Sequence, residues 1–244
     1  MMKGRYLFVP LFILLMLSLV GCTSSSPGSP GSSGVSPAGS LMGTIVDARS
    51  GLALWSGQAQ VAGQVAKISG GHFEVKAIPA GSHTLTVSKD HYQDSTLQVQ
   101  ITSDDAVVEV PMESLYSAAH LDLLARLVRA EAGGEPYVGQ VAVAASVLNR
   151  VRHPNYPNSL YGVITQRDAR GYAQYSPIDN GAINTPADQN AKNAVADALA
   201  GWDPSQGATG FFAPAKVTNK NNWVWKQVPI VQIGNHLFFR AQSD

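Results

Sequence analysis

The chain has 244 residues, enough for one large domain or two smaller ones with tails. Lys and Arg number 17, as do Asp and Glu, so the formal net charge is +0, which excludes a protein held to nucleic acid by a basic surplus. The hydrophobic fraction, 45%, is that of an ordinary globular protein, so the information lies in how residues are distributed along the chain.

Residues 1–21, MMKGRYLFVPLFILLMLSLVG, have the plan of a secretory signal peptide: Lys3 and Arg5, an apolar run from Tyr6 to Leu19, then small residues before Cys22. The run is shorter than the roughly 20 apolar residues of a comfortable membrane span. Leu19-Val20-Gly21-Cys22 resembles the bacterial lipobox. That resemblance implies lipidation at Cys22 and an extracytoplasmic lipoprotein of the cell envelope, anchored to the cytoplasmic or the outer membrane. Processing leaves 15 basic against 17 acidic residues and no cysteine free for a disulfide, a thiol nucleophile or a metal site. Residues 22–40 are almost entirely Ser, Gly and Pro, too apolar-poor to fold, and predict a flexible tether.

Between residues 41 and 113 apolar and polar positions alternate: Phe73, Val75, Ala77; Leu85, Val87; Leu97, Val99, Ile101; Val108, Val110. Gly and Pro punctuate the runs, so the segment predicts a small antiparallel β-sandwich. Gly43-Thr44-Ile45-Val46-Asp47, the Gly-Gly-His-Phe turn and Ile78 to Leu85 resemble the carboxypeptidase regulatory-like, transthyretin-like sandwich family, which implies a spacer or an accessory binding module. His72, His83 and His91 are scattered without the spacing of a metal site.

From residue 118 the period becomes helical. Ala118 to Ala132 predicts a helix ended by Gly133-Gly134, and Pro136 opens a second, rich in Ala and Val, stopped at His153-Pro154. Short turns are expected over 159–166. Thr185-Pro186 predicts a capped helix over 187–200 closed by Gly201, and Val228 to Phe239 reads as extended. The overall expectation is multidomain: an all-β sandwich followed, over 118–241, by a mainly helical α+β domain.

Around 100° per residue, Leu121, Leu124, Ala125, Val128 and Ala132 share one arc of the first helix, and Glu131 falls between Leu124 and Leu127 at the edge of that apolar face. An acid there is partly desolvated, which favours its protonated form and suits general-acid catalysis. A plainer alternative is a Glu that turns outward to pair with Arg126 or Arg129. Glu135, before Pro136, either stabilises the positive start of the next helix or stands as a second carboxylate near the first.

The blocks Glu131-Ala132-Gly133-Gly134-Glu135-Pro136, Gly139 to Ala145, Val147 to Val151, Gln174-Tyr175-Ser176, Gly201-Trp202-Asp203-Pro204, Phe212, Pro214 and Ile233-Gly234-Asn235-His236 resemble, in order, the spore cortex-lytic cell-wall hydrolase family. Gly133 departs from the family's usual Arg, and Tyr175 from its usual Phe. The resemblance implies a domain similar to lysozyme-like lytic transglycosylases, acting on peptidoglycan glycan strands of spore cortex or vegetative wall without cofactor or metal. Glu131 would be the catalytic acid; Gln174, Tyr175, Ser176, Glu135 and Phe212 would contact substrate. The competing readings are a muramidase, a zinc amidase of the stem peptide, and an inactive wall-binding lipoprotein. The amidase lacks a ligand set, because His120, His153 and His236 lie far apart, and no Gly-x-Ser-x-Gly elbow supports a serine hydrolase.

Overall fold

The computed structural model describes residues 38–241. The expected signal peptide, Cys22 and most of the tether lie outside the described residues. Among the described residues no helix is long and apolar enough to cross a membrane.

The β region contains β1 (Ala38–Asp47), β2 (Ser56–Val61), β3 (Gln64–Ser69), β4 (His72–Pro79), β5 (Gly81–Ser88), β6 (Ser95–Ile101) and β7 (Ala106–Met112). They form one sheet in the order β6-β5-β2-β3-β4-β1-β7. Its halves, β6-β5-β2-β3 and β4-β1-β7, meet at the bridge Ser69↔His72 and enclose one core with Leu41, Ile45, Ala59, Ile68, Leu85, Ile101 and Val110. The period-two alternation therefore does what the sequence requires, placing one side of every strand inward.

Two expectations change here. Ala38–Ser40, read as the end of the tether, already belong to β1, where Ala38 pairs with Pro79 and Gly39 with Ile78. And the strands are not all antiparallel: β7 runs parallel to β1, from Leu41↔Ala106 to Asp47↔Met112. After β6 the 102–105 connection crosses tightly over Gly39, where an added Cβ would lie 2.3 Å from the Thr102 carbonyl oxygen. The crossing carries the chain past β6 to the far edge of β1 instead of back in a hairpin.

The second region comprises α1 (Ala118–Ala132), α2 (Tyr137–Arg152), α3 (Leu160–Ile164), α4 (Ser176–Asn180) and α5 (Gln189–Ala200), then β8 (Gly210–Phe212), β9 (Val228–Ile233) and β10 (His236–Arg240). The Ser117 side chain accepts the His120 N–H at the start of α1, a standard N-cap. α2 is the central helix: Val141 to Leu148 are buried on every side, and their small side chains let α1 and α5 pack close around them. Pro136 sits at the N-cap of α2, one position earlier than the sequence pattern places it. α5 starts at Gln189, not Ala187, because Asp188 Oδ1 accepts the Ala191 N–H at 2.8 Å and displaces Thr185 as cap. α4 is a helix the sequence pattern did not reveal. The last three strands form an antiparallel sheet in the order β8-β10-β9.

The described residues belong to one compact unit. Gly201 closes α5 in the left-handed region, φ 118°, against Ser56 of β2. The Trp55 N–H donates to the Ala200 carbonyl at 2.7 Å, and Ala200 enters the β core. Trp55, Trp202 and Tyr137 follow one another at 6.0 and 6.1 Å. Arg152 pairs with Asp90 at 2.8 Å, and His91 Nδ1 meets the Tyr116 hydroxyl at 2.7 Å.

Candidate active site

Glu131 sits in the last turn of α1, one residue before buried Ala132. The outward pairing does not form. Arg126 is engaged by Asp122 at 2.7 Å, and among the described residues Glu131 makes neither a hydrogen bond nor an ion pair. Burial pushes its pKa above the ordinary carboxylate value, and the positive charge of Lys216 offsets this only in part.

Two hollows meet at Glu131. The smaller, about 210 Å³, is lined also by Arg150, Gln174, Tyr175, Ser176, Phe211 and Trp223. The larger, about 640 Å³, runs along Gly133, Gly134 and Glu135 to Lys216, Asn235 and His236. Gly133 and Gly134 leave the Glu131 side uncovered, as the absence of side chains suggests. A carboxyl half removed from water, facing open space on both sides, is placed to exchange a proton with something that lies across it.

Glu135 behaves oppositely. Partial desolvation pushes its carboxyl up, but the Asn235 N–H and Nδ2 donate to it at 2.8 and 3.0 Å, and with nearby His236 and Lys216 they hold it below the ordinary range. The two carboxyls are shifted in opposite directions, Glu131 upward by burial and Glu135 downward by its Asn235 donors, the kind of separation that distinguishes acid and anion roles in a pair of carboxylates. Asn235 reaches Glu135 because Gly234 and Asn235 form the β9–β10 turn, between partners Ile233 and His236, with Gly234 at φ 56°.

Gln174, Tyr175 and Ser176 come together beside Glu131. Gln174 and Ser176 are exposed, whereas Tyr175 is buried and stacks on Phe211 at 6.4 Å. Phe212 does not join them. It lines neither hollow but packs edge-to-face on Trp225 at 5.0 Å and against Phe239 at 6.1 Å. Successive residues of a strand point to opposite faces, so the groove receives Phe211 from β8 and the packing behind it receives Phe212. Among the described residues no three His, Cys, Asp or Glu side chains are grouped to hold a metal.

Residues 134–239 match the Cell Wall Hydrolase family model. The C-terminal half carries a cell wall hydrolase domain. It is 44% identical over 123 residues to a spore cortex-lytic enzyme of Halalkalibacterium halodurans, covering 50% of this chain and 35% of that protein. To the spore cortex-lytic enzyme of Bacillus subtilis it is 40% identical over 131 residues, covering 54% of this chain and 41% of that one. The chain thus spans less than half the length of the curated relatives it matches. The solved catalytic domain of the germination-specific lytic transglycosylase SleB from Bacillus anthracis is 39% identical, with a TM-score of 0.47, covering 52% of this chain and 98% of that one.

In the hydrolase domain, several residues that matter at the site were missed by sequence reasoning. Arg150 carried a signal: it continues the buried α2 stripe of Val143 and Val147, at a spacing that puts a charge on an apolar face. Phe211, Trp223 and Lys216 carried none, since nothing local marks which residues of the final loops turn toward α1. The Gly201-Trp202-Asp203-Pro204 block proves to be scaffolding. Asp203 accepts the Asn149 Nδ2 at 3.0 Å and the N–H groups of Ser205 and Gly207 at 2.9 and 2.8 Å, tying the loop before β8 to α2.

Proposed function

We propose that the chain is a peptidoglycan hydrolase cleaving the bond between N-acetylmuramic acid and N-acetylglucosamine as a lytic transglycosylase, on a lysozyme-like domain. The observation that carries the proposal is the half-buried Glu131 carboxyl, raised in pKa and open to a groove on both sides. The curated relatives' name, spore cortex-lytic enzyme, supports a wall substrate.

The chemistry follows from one proton. Glu131 donates it to the bridging oxygen as the bond from C1 breaks, and positive charge develops on the ring carbon and its oxygen. The carboxylate left behind is an anion beside that charge. It then takes the proton of the muramic 6-hydroxyl as O6 bonds to C1, which closes a 1,6-anhydro ring and restores the acid. No water is consumed and no second carboxylate has to attack, in contrast to paired-carboxylate glycosidases. Glu135, kept ionised by Asn235, adds negative charge alongside without competing for the proton. Gln174, Tyr175 and Ser176 position the sugars.

The β region is fixed to the hydrolase domain through Trp55, Ser56 and Ala200, and in this reading it is a rigid spacer. Lipidation at Cys22 would tether the protein extracytoplasmically and raise the local concentration of wall glycan. Purified wall digested with wild type and with Glu131→Gln, analysed by mass spectrometry, tests the mechanism. Anhydro-ended muropeptides should be released by the wild type and fall about 1,000-fold with the variant, in the middle of the range of acid–base contributions. Reducing ends would instead make water the acceptor. Undiminished release by the variant would remove Glu131 from the mechanism.

A further inference from the structure

The smaller hollow contains two polar groups that the fold leaves unsatisfied. Arg150 is 7% exposed and Tyr175 4%, and Arg150 Nη1 and the Tyr175 hydroxyl are both buried without a hydrogen-bond partner. Both residues line the space that Glu131 lines. Arg150 is firmly held: its Nε donates to the Thr209 carbonyl, and its guanidinium lies 4.9 Å from the Tyr156 ring centre and 5.1 Å from that of Tyr175. No carboxylate pairs with it among the described residues. Leaving one guanidinium nitrogen and a hydroxyl buried without acceptors costs stability, and the cost is recovered when a ligand brings the missing acceptor.

The walls describe that ligand. Arg150 and Tyr175, the residues with the two unpartnered donors, share this lining with Phe211, Phe239 and Trp223, which supply apolar surface in a space of about 210 Å³. A small planar group with one carbonyl oxygen and one methyl satisfies both. We propose that Arg150 and Tyr175 form the subsite for the 2-acetamido group of the sugar next to the cleaved bond. The carbonyl oxygen accepts from Arg150 Nη1 and the Tyr175 hydroxyl, and the methyl lies against Phe211 and Phe239. This rests on the glycan-cleavage reading above and assigns to Arg150 a role in specificity that packing alone would not give it.

Oligomers of N-acetylglucosamine, which carry no lactyl group, isolate the acetamido contact. With the full chain bearing Glu131→Gln, calorimetric titration should show such a tetramer binding about 10-fold tighter than the β-1,4-glucose tetramer, which has a hydroxyl in place of each acetamido group. Adding Tyr175→Phe or Arg150→Lys should remove most of that preference, affinity for the acetylated tetramer falling further than affinity for the glucose tetramer. Tyr175→Phe should also keep or raise the melting temperature, since it deletes only a partnerless buried hydroxyl; this holds the test open if Arg150→Lys fails to fold. Equal losses for both oligomers, or no acetyl preference at the outset, would overturn the subsite. If acetyl-dependent binding persists while the wild type releases no glycan fragments from wall, the cleavage reading fails and the subsite stands. If wall glycan is cut without any acetyl dependence of binding, the subsite falls and the cleavage reading stands.

Discussion

Gly234→Ala probes how the β9–β10 turn serves the groove. Gly234 has φ 56°, a left-handed conformation that costs an L-residue about 1 kcal/mol. Its new Cβ would also lie 2.2 Å from Glu135 Oε2 and 2.9 Å from Pro136 Cδ. The carboxylate, at the end of a flexible side chain, must swing away and give up the two Asn235 bonds. These are partly exposed, and together they are worth about 1 kcal/mol. The expected loss is therefore about 2 kcal/mol, or roughly 4 to 8 °C in melting temperature for a chain of this size. Thermal unfolding followed by circular dichroism measures it, with the same substitution repeated in a Glu135→Ala background. There the contact with Glu135 and its two bonds are absent, so the backbone part, about 1 kcal/mol, remains together with the close approach to Pro136 Cδ, and the cost of the substitution should fall by about 1 kcal/mol. Identical costs in both backgrounds would refute the account, because the turn would then have nothing to do with holding Glu135.

Three further outcomes follow from the same structure. Glu131 holds its proton more tightly when folded, so its burial lowers stability as pH rises above the ordinary value of 4.5. Glu131→Gln should thus be more stable than wild type at pH 7 and equal to it near pH 4, by about 1.4 kcal/mol for each pH unit across which the native carboxyl outlasts the unfolded one; glycan release by the wild type should decline on the alkaline side as that proton is lost. Burial, with Arg152 and Lys89 nearby, holds His91 down at about 3 against an ordinary 6.5, so folding stability contributed by neutral His91 is complete above pH 6.5 and erodes as pH falls toward 3. Denaturant titrations should show wild type losing about 2 kcal/mol more than His91→Asn between pH 6.5 and 5, and parallel curves would contradict it. Tyr137→Phe removes a hydroxyl that donates to Asp197 Oδ2 at 2.6 Å between α2 and α5; it should cost about 1 kcal/mol in urea unfolding and leave wall digestion unchanged.

Much of the architecture is local and was open to sequence reasoning. Alternation along 41–113 located buried faces such as Leu85 and Val87, and α1 ends where Gly133 follows Ala132. Glu131 could be placed at the edge of an apolar face because a helix has a fixed angular period, and that edge is where it lies. Cap competition was less legible: Thr185-Pro186 and Asp188 both satisfy the rules for a helix start, and only the Asp188–Ala191 bond shows which one the chain uses.

What the sequence by itself determined is the set of elements and the faces they bury, since period, turns and caps are consequences of backbone geometry within a few residues. Tertiary packing decided the rest. It ran β7 parallel to β1, set Phe211 rather than Phe212 in the groove, and brought Lys216, Asn235 and Arg150 around the end of α1. The environment of the Glu131 carboxyl is made by residues far along the chain. Desolvation and charge act through space, so the upward shift of its pKa belongs to the fold and not to the local run of residues that carries it.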